Sequence, residues 1–142
     1  MNLSIEPMAA LTLLIRLFAG ILFFFQGYDK VFRLGPSAVA ETLRGPMSEK
    51  KIPMGLVRIF AAFTSWAELI GGTLLLLGLF RYPATLLLGA DLLVASFGFS
   101  MLKPVWDTQH VFVRLICIGI LLLLLPLEQD AFHLDALFPT RP

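Results

Sequence analysis

Long apolar segments alternate with short polar stretches along the 142 residues of this chain. The apolar segments run at about residues 8–31, 54–79, 84–102 and 109–127. Each is close to the ~20 residues that an α-helix needs to cross the hydrocarbon core of a bilayer. The pattern therefore predicts an all-α polytopic membrane protein, an antiparallel four-transmembrane-helix bundle that forms a single domain over residues 1–142.

The polar connections predict how these helices follow one another. Arg81, Tyr82 and Pro83 make a tight connection, so the second and third spans are expected to form an antiparallel hairpin. The long first loop carries a segment from Ser37 to Gly45 with a serine N-cap and a Gly-Pro stop, which predicts a short helix. The first span lacks the basic start and small-residue cleavage site of a signal peptide, so we expect it to be retained.

The composition agrees with a membrane protein. Hydrophobic residues make up 58% of the chain and charged residues 15%, whereas soluble domains contain about 25% charged residues. The membrane class and a net charge of +1 exclude nucleic-acid binding. Seven Lys and Arg residues lie on the side of the long loop and two on the side of the termini. The positive-inside rule then predicts a cytoplasmic first loop, with both termini on the opposite side.

Each predicted span carries one charged residue near its middle: Arg16, Glu68, Asp91 and Arg114. A charge at the bilayer centre costs at least ~2.5–3.5 kcal/mol, so we expect these residues to form a buried charge network. Counted from the terminus side, Arg16 and Asp91 lie roughly 11 Å deep, and Glu68 and Arg114 roughly 18 Å deep. The simplest pairing is Arg16 with Asp91 and Glu68 with Arg114.

Small residues share the helical faces of these charges, which predicts that the charged faces meet one another inside the bundle. In the first span, for example, Gly20 and Gly27 lie on the face of Arg16. Three interpretations of the network stay open. It fixes the register of the helices, or it forms a site that binds a small polar group, a quinone head group or a lipid or that handles protons, or one of its residues faces a partner subunit.

A second polar group gathers at the predicted cytoplasmic ends of the spans. Its ordinary interpretation is interface anchoring, and His110 is typical of a helix cap. The alternative is a binding rim made of Gln26, Tyr28, Asp29, Lys30, Trp106, Asp107 and His110.

The sequence assigns neither a catalytic residue nor a resident cofactor. No spacing matches a metal motif, and no CxxCH sequence is present for haem attachment. Cys117 is the single cysteine, which excludes an intramolecular disulfide and a CxxC redox pair.

The order of three motifs resembles a known family. Arg16-Leu-Phe-Ala-Gly20 leads to Gln26-Gly-Tyr-Asp-Lys30, and Glu68-Leu-Ile-Gly-Gly72 follows. Together they resemble the DoxX family of small bacterial membrane proteins, and the longer stretches around Lys30 and Trp106 are similar to its Bacteroidota-type branch. The resemblance implies a four-helix bundle in the bacterial inner membrane. Some relatives, the DoxD-like proteins, are the membrane subunit of a thiosulfate:quinone oxidoreductase, but no residue of this chain marks thiosulfate chemistry.

Three classes of function are compatible with these observations. The leading hypothesis is an integral membrane subunit or anchor of a larger complex, for example one associated with an oxidoreductase, without stand-alone catalysis. The second is a quinone- or lipid-binding protein that uses the polar interior. The third is a small transporter or proton pathway. The partners expected are the lipid bilayer and either other membrane subunits or further copies of the chain.

Overall fold

The computed structural model of the protein describes residues 7–102, 109–125 and 134, which are helical apart from short turns and contain no β-strand. The predicted all-α class is therefore confirmed. The helices, in chain order, are α1 (Pro7–Tyr28), a π-helical continuation of α1 (Asp29–Leu34), α2 (Pro36–Thr42), α3 (Arg44–Glu49), α4 (Met54–Leu77), α5 (Arg81–Leu102) and α6 (Gln109–Leu124).

The four long helices pack side by side in the cyclic order α1, α4, α5, α6, and α6 closes the ring by contacting α1. The largest fully buried side chains inside this ring are Phe23, Leu75, Leu88, Leu92 and Leu121, and charged side chains are buried beside them. The outer surface is apolar as well, as a surface in contact with lipid would be. Among the described residues, two helices are long and apolar enough to cross a membrane. They are Pro7–Leu34, which includes the π-helical end, and Met54–Leu77.

Glycines bring α1 and α4 into backbone contact. A Cβ atom at Gly27 would lie 2.3 Å from the backbone nitrogen of Leu69, and one at Gly72 would lie 2.4 Å from that of Phe24. No side chain fits at either position, so each helix presents a glycine where the backbone of the other passes. Gly27 of α1 meets Leu69 of α4, and Phe24, which is earlier in α1, meets Gly72, which is later in α4. The two helices therefore run antiparallel. The predicted role of Gly27 in close helix approach is confirmed.

A left-handed turn joins α4 to α5. Gly78 adopts φ 68°, and its N–H reaches back to the carbonyl oxygens of Leu74 and Leu75. The N–H of Leu79 also donates to the carbonyl oxygen of Leu74, at 2.9 Å, which completes a glycine-based helix stop. The two helices then pack closely, because a Cβ at Gly71 would lie 2.7 Å from the side chain of Leu88.

The short helix predicted in the first loop is present as two helices, α2 and α3. Gly35, at φ 83°, turns the chain after the π-helical segment, and Pro36 then begins α2. Ala40 of α2 is fully buried against Val57 and Ala61 of α4, so the loop is docked on the first turns of α4.

Candidate functional site

Glu68 of α4 pairs with Lys30, which lies in the π-helical end of α1. The Lys30 Nζ is 2.7 Å from the Glu68 Oε2, and the side chains are 21% and 3% exposed. The close approach at Gly27 and Leu69 places the two helices near enough for this bridge. The predicted pairing of Glu68 with Arg114 was therefore wrong, because Lys30 reaches inward and occupies the carboxylate.

Asp91 of α5 lies at the same level as Glu68. Gly71 of α4 packs against Leu88 of α5. Glu68 lies three residues before Gly71, and Asp91 lies three residues after Leu88. Because the two helices run antiparallel, both residues are displaced from this contact in the same direction. The charges of Glu68, Lys30 and Arg114 all act on Asp91, as expected for a shared cluster. Asp91 is 0% exposed, and among the described residues nothing donates a hydrogen bond to either of its carboxyl oxygens.

Arg114 of α6 completes this group of charges. Its guanidinium carbon lies 5.9 Å from the centre of the Phe23 ring, a distance at which cation–π attraction operates. Its charge acts on both Glu68 and Asp91. Within the described part of the chain, the Arg114 Nε has no hydrogen-bond acceptor.

Four helices thus supply one residue each to what we call the central cluster, made of Lys30, Glu68, Asp91 and Arg114. The cluster has two cations and two carboxylates, so it is formally neutral when all four residues are charged. Three of its members were predicted for the interior. From its sequence position, Lys30 was instead predicted in a peripheral rim. Its helical spacing nevertheless continues the face of Arg16, Gly20, Phe23 and Gly27, and this spacing indicates an inward position.

Arg16 lies apart from the central cluster, near the end of α4. Its Nη1 donates hydrogen bonds to the carbonyl oxygens of Leu75 and Leu76, in the last turn of that helix. Positive charge is stabilising there, because the last carbonyl groups of a helix carry partial negative charge. Arg16 precedes Lys30 by 14 residues, which is roughly 21 Å along a helix. The predicted Arg16–Asp91 pair was wrong, because Asp91 accepts no hydrogen bond from Arg16.

An apolar layer separates Arg16 from the central cluster. Phe23 lies between Arg16 and Lys30 along α1, and Leu75 lies between Glu68 and the end of α4. Both side chains are 0% exposed, and they belong to the same buried apolar core. The two predicted layers, each with an acid and a base, are thus replaced by one neutral cluster and a distant arginine.

The other predicted rim residues have different surroundings. Tyr28 is 41% exposed and its ring lies 5.1 Å from that of Phe32, so it faces outward. Asp29 pairs with the exposed Arg33, at 3.1 Å. The Gln26 Oε1 is buried and accepts no hydrogen bond from the described residues. Trp106, Asp107 and the side chain of His110 lie outside what the structure describes.

The described residues include no group of three or more His, Cys, Asp and Glu side chains that could hold a metal ion. The side chains of the central cluster can form hydrogen bonds and ion pairs. Two carboxylates can accept hydrogen bonds, and two cations can donate them.

A helical fold with an apolar outer surface and charged residues in its interior defines an integral membrane protein. The chain belongs to the DoxX family, which matches residues 11–101. The matched region contains Arg16, Lys30, Glu68 and Asp91, whereas Arg114 lies beyond it. The resemblance expected from the three motifs is thereby confirmed. Comparison with curated proteins and with solved structures finds no match.

Proposed function

We propose that this protein binds the polar head group of a quinone or a lipid in its central cluster. In this proposal α1, α4, α5 and α6 all cross the bacterial inner membrane and form an antiparallel bundle. The outward-facing apolar side chains of all four helices support that placement, since Leu14, Phe25, Leu93 and Leu123 are each at least 60% exposed.

The observation that carries the proposal is the set of unsatisfied polar atoms around the cluster. Both carboxyl oxygens of Asp91 and the Nε of Arg114 are buried and make no hydrogen bond with the described residues. A buried polar atom without a partner costs about 1–3 kcal/mol, and more when it is charged. A head group that both donates and accepts hydrogen bonds would recover that free energy.

The surroundings of the cluster favour a site with access from one side. Lys30, which lies close to the first loop in the chain, is 21% exposed, whereas Phe23 and Leu75 are fully buried. A proton or ion pathway would have to hydrate this apolar layer to reach Arg16. We therefore favour binding over the transporter or proton-pathway hypothesis.

The orientation proposed from the positive-inside rule is unchanged by the contacts of Lys30. Lys30 is paired with Glu68 and is best left out of the charge count. The first loop then still has six Lys and Arg residues on its side, against two on the other. We propose that this loop, with α2 and α3, is cytoplasmic and that both termini are periplasmic.

Binding of a quinone or lipid can be tested with the purified protein in nanodiscs. A short-chain quinone and a phospholipid are titrated separately, and bound ligand is measured by native mass spectrometry. We expect Arg114→Met to weaken binding about tenfold or more, because it removes the buried Nε donor that has no acceptor among the described residues, and a charged hydrogen bond is worth about 1.5–3 kcal/mol.

Arg33→Met is the matched control, since it is the same substitution at an arginine whose side chain is 73% exposed. It should leave binding unchanged. Failure of both ligands to bind the wild-type protein, or equal effects of the two substitutions, would contradict a site in the central cluster.

A second candidate function is that of a subunit or anchor in a larger membrane complex or homo-oligomer. The outer face of α6 favours it, because Gly119 is exposed and has no heavy atom within 4 Å of its Cβ position. Small residues in membrane helices allow another helix to approach closely. Co-purification in mild detergent tests this candidate, and a lone monomer under all gentle conditions would argue against it.

A further inference from the structure

We infer that Asp91 selects the ligand and that the ligand presents to it a hydrogen-bond donor, either a hydroxyl or an ammonium group. This inference rests on the proposed function and narrows it. Of the two ligand classes, it favours a quinol over a quinone, and a phospholipid with an ethanolamine head group over one with a choline head group.

The two carboxylates of the central cluster differ in whether they have a partner. Glu68 has an ion-pair partner, because the Nζ of Lys30 lies 2.7 Å from its Oε2, although the angle of that contact is not that of a hydrogen bond. Asp91 is fully buried, and none of the described residues donates a hydrogen bond to it. A carboxylate offers about four lone-pair positions to donors. Asp91 is therefore the member of the cluster with the greatest unused capacity to accept hydrogen bonds.

Two neighbours of Asp91 on its own helix are apolar. Leu88, one turn earlier, and Leu92, the next residue, are both essentially fully buried in the apolar core. The nearby charges that act on Asp91 come from Lys30, Glu68 and Arg114. Its own helix thus provides an apolar setting, in which a ligand that cannot donate would leave the carboxylate unsatisfied.

The central cluster contains an unused hydrogen-bond donor as well as the unused acceptors of Asp91. The Nε of Arg114 is a buried donor without an acceptor among the described residues, and its charge acts on Asp91. A ligand that satisfies both residues therefore carries a donor and an acceptor. A quinol hydroxyl offers both on one oxygen, and phosphatidylethanolamine offers an ammonium beside a phosphate. Quinones lack the donor, and the trimethylated ammonium of phosphatidylcholine has no N–H.

Two matched pairs of ligands test this inference in nanodiscs. One pair is a short-chain quinol and its quinone, kept under anaerobic conditions, and the other is phosphatidylethanolamine and phosphatidylcholine. We expect wild-type protein to bind the donor-bearing member of one pair about tenfold tighter or more. The pair that shows the preference identifies whether the ligand is a quinol or a lipid.

The substitution Asp91→Asn keeps the side-chain shape but replaces one acceptor by a donor, and it should abolish the preference. Asp29→Asn is the control, since Asp29 is 48% exposed and pairs with Arg33. It should keep the preference. Melting of each variant in detergent checks that the fold is retained, and Asp91→Leu, which removes both acceptors, serves if Asp91→Asn does not fold.

Each remaining outcome has a defined meaning. If wild-type protein binds both members of each pair equally, Asp91 does not select a donor and the inference fails, while the proposed function stands. If Asp91→Asn and Asp91→Leu keep the preference, the inference also fails. If none of the four ligands binds, the proposed function fails together with it.

Discussion

At the residue scale, the stability of the protein depends on how each buried charge is compensated. Glu68 is 3% exposed, and Lys30 is its ion-pair partner. Desolvating a carboxylate costs several kcal/mol, and an ion pair recovers this cost only while both partners are present. Removing one partner leaves the other as an uncompensated charge in an apolar interior.

Glu68→Gln should therefore lower the free energy of unfolding by about 3 kcal/mol, because Lys30 loses its partner. The measurement is unfolding of the detergent-solubilised protein by titration with a denaturing detergent. Glu49→Gln is the control, since Glu49 is exposed at the end of α3, and it should change stability by less than about 0.5 kcal/mol.

The double variant Lys30→Met with Glu68→Leu should regain much of that loss, because replacing a buried ion pair by apolar residues is often neutral. Unchanged stability of Glu68→Gln would mean that the charge of Lys30 does not depend on Glu68 for compensation.

At the scale of elements, two contacts set the arrangement of the helices. Gly27 and Gly72 hold α1 against α4 through backbone contact. Glu41 fastens α2 and α3 to α4, because its Oε1 accepts from Arg44 at 2.8 Å and lies 3.5 Å from the Arg58 Nη2. The first contact positions Lys30 for Glu68, and the second holds the first loop on the helices.

Gly27→Ala should lower the free energy of unfolding by about 1–3 kcal/mol, since the added methyl group meets backbone atoms that cannot turn away. Gly119→Ala should do the opposite and raise it by up to about 1 kcal/mol, because the position is open and alanine favours the helix. Thermal unfolding of both variants in the same detergent gives the comparison. A similar loss in both would show that the α1–α4 contact is not tight.

The docking of α2 should weaken in acid. The hydrogen bond from Arg44 lowers the pKa of Glu41, and Arg58 acts in the same direction. A lowered pKa in the folded state means that the ionised form is favoured by folding. Its contribution is complete above the ordinary glutamate pKa and is lost as the pH falls through the lowered value.

The protection of α2 amides from hydrogen exchange, corrected for the intrinsic pH dependence of amide exchange, should therefore fall at acidic pH. Glu41→Gln should lower this protection already at neutral pH. Corrected protection in α2 that falls with pH equally in the wild-type protein and in Glu41→Gln would contradict the role of Glu41.

At the scale of the whole molecule, polar groups lie at two separated levels with an apolar layer between them. Arg16 lies at the end of α4, and the central cluster lies towards the first loop. The buried apolar side chains of Phe23 and Leu75 lie between these two levels. This division favours a binding site in one half of the membrane over a continuous path through the protein.

The proposed orientation can be measured by cysteine labelling of the full-length protein in intact cells. Cys117→Ala provides a background without the buried native thiol. Phe80→Cys, in the turn between α4 and α5, should react with an impermeant maleimide from outside, whereas Ser48→Cys should react only after the membrane is opened. The reverse pattern would invert the orientation and place the first loop in the periplasm.

Much of the fold could be predicted from the sequence, because hydrophobic length and helical spacing are local properties. The predicted spans lie within a few residues of the helices in the described parts of the chain. The glycine at position 27 and the charged residues at 68 and 91 were assigned to buried faces, since residues three and four apart share one side of a helix. Family membership also followed from motifs in order.

The pairing of the charges could be decided only by the tertiary structure. The predicted pairs were based on depths counted from the ends of the spans, which assumes that all helices start at one level. Each residue of error in the start of a helix moves its side chains by about 1.5 Å along the helix axis. The backbone contact at Gly27 instead sets the register, so that Lys30 faces Glu68 and Arg16 reaches the end of α4. The sequence by itself determined that Arg16, Glu68 and Asp91 are buried and charged, but not that Lys30 joins them. The offset between α1 and α4, a contact between distant parts of the chain, decided which of them meet.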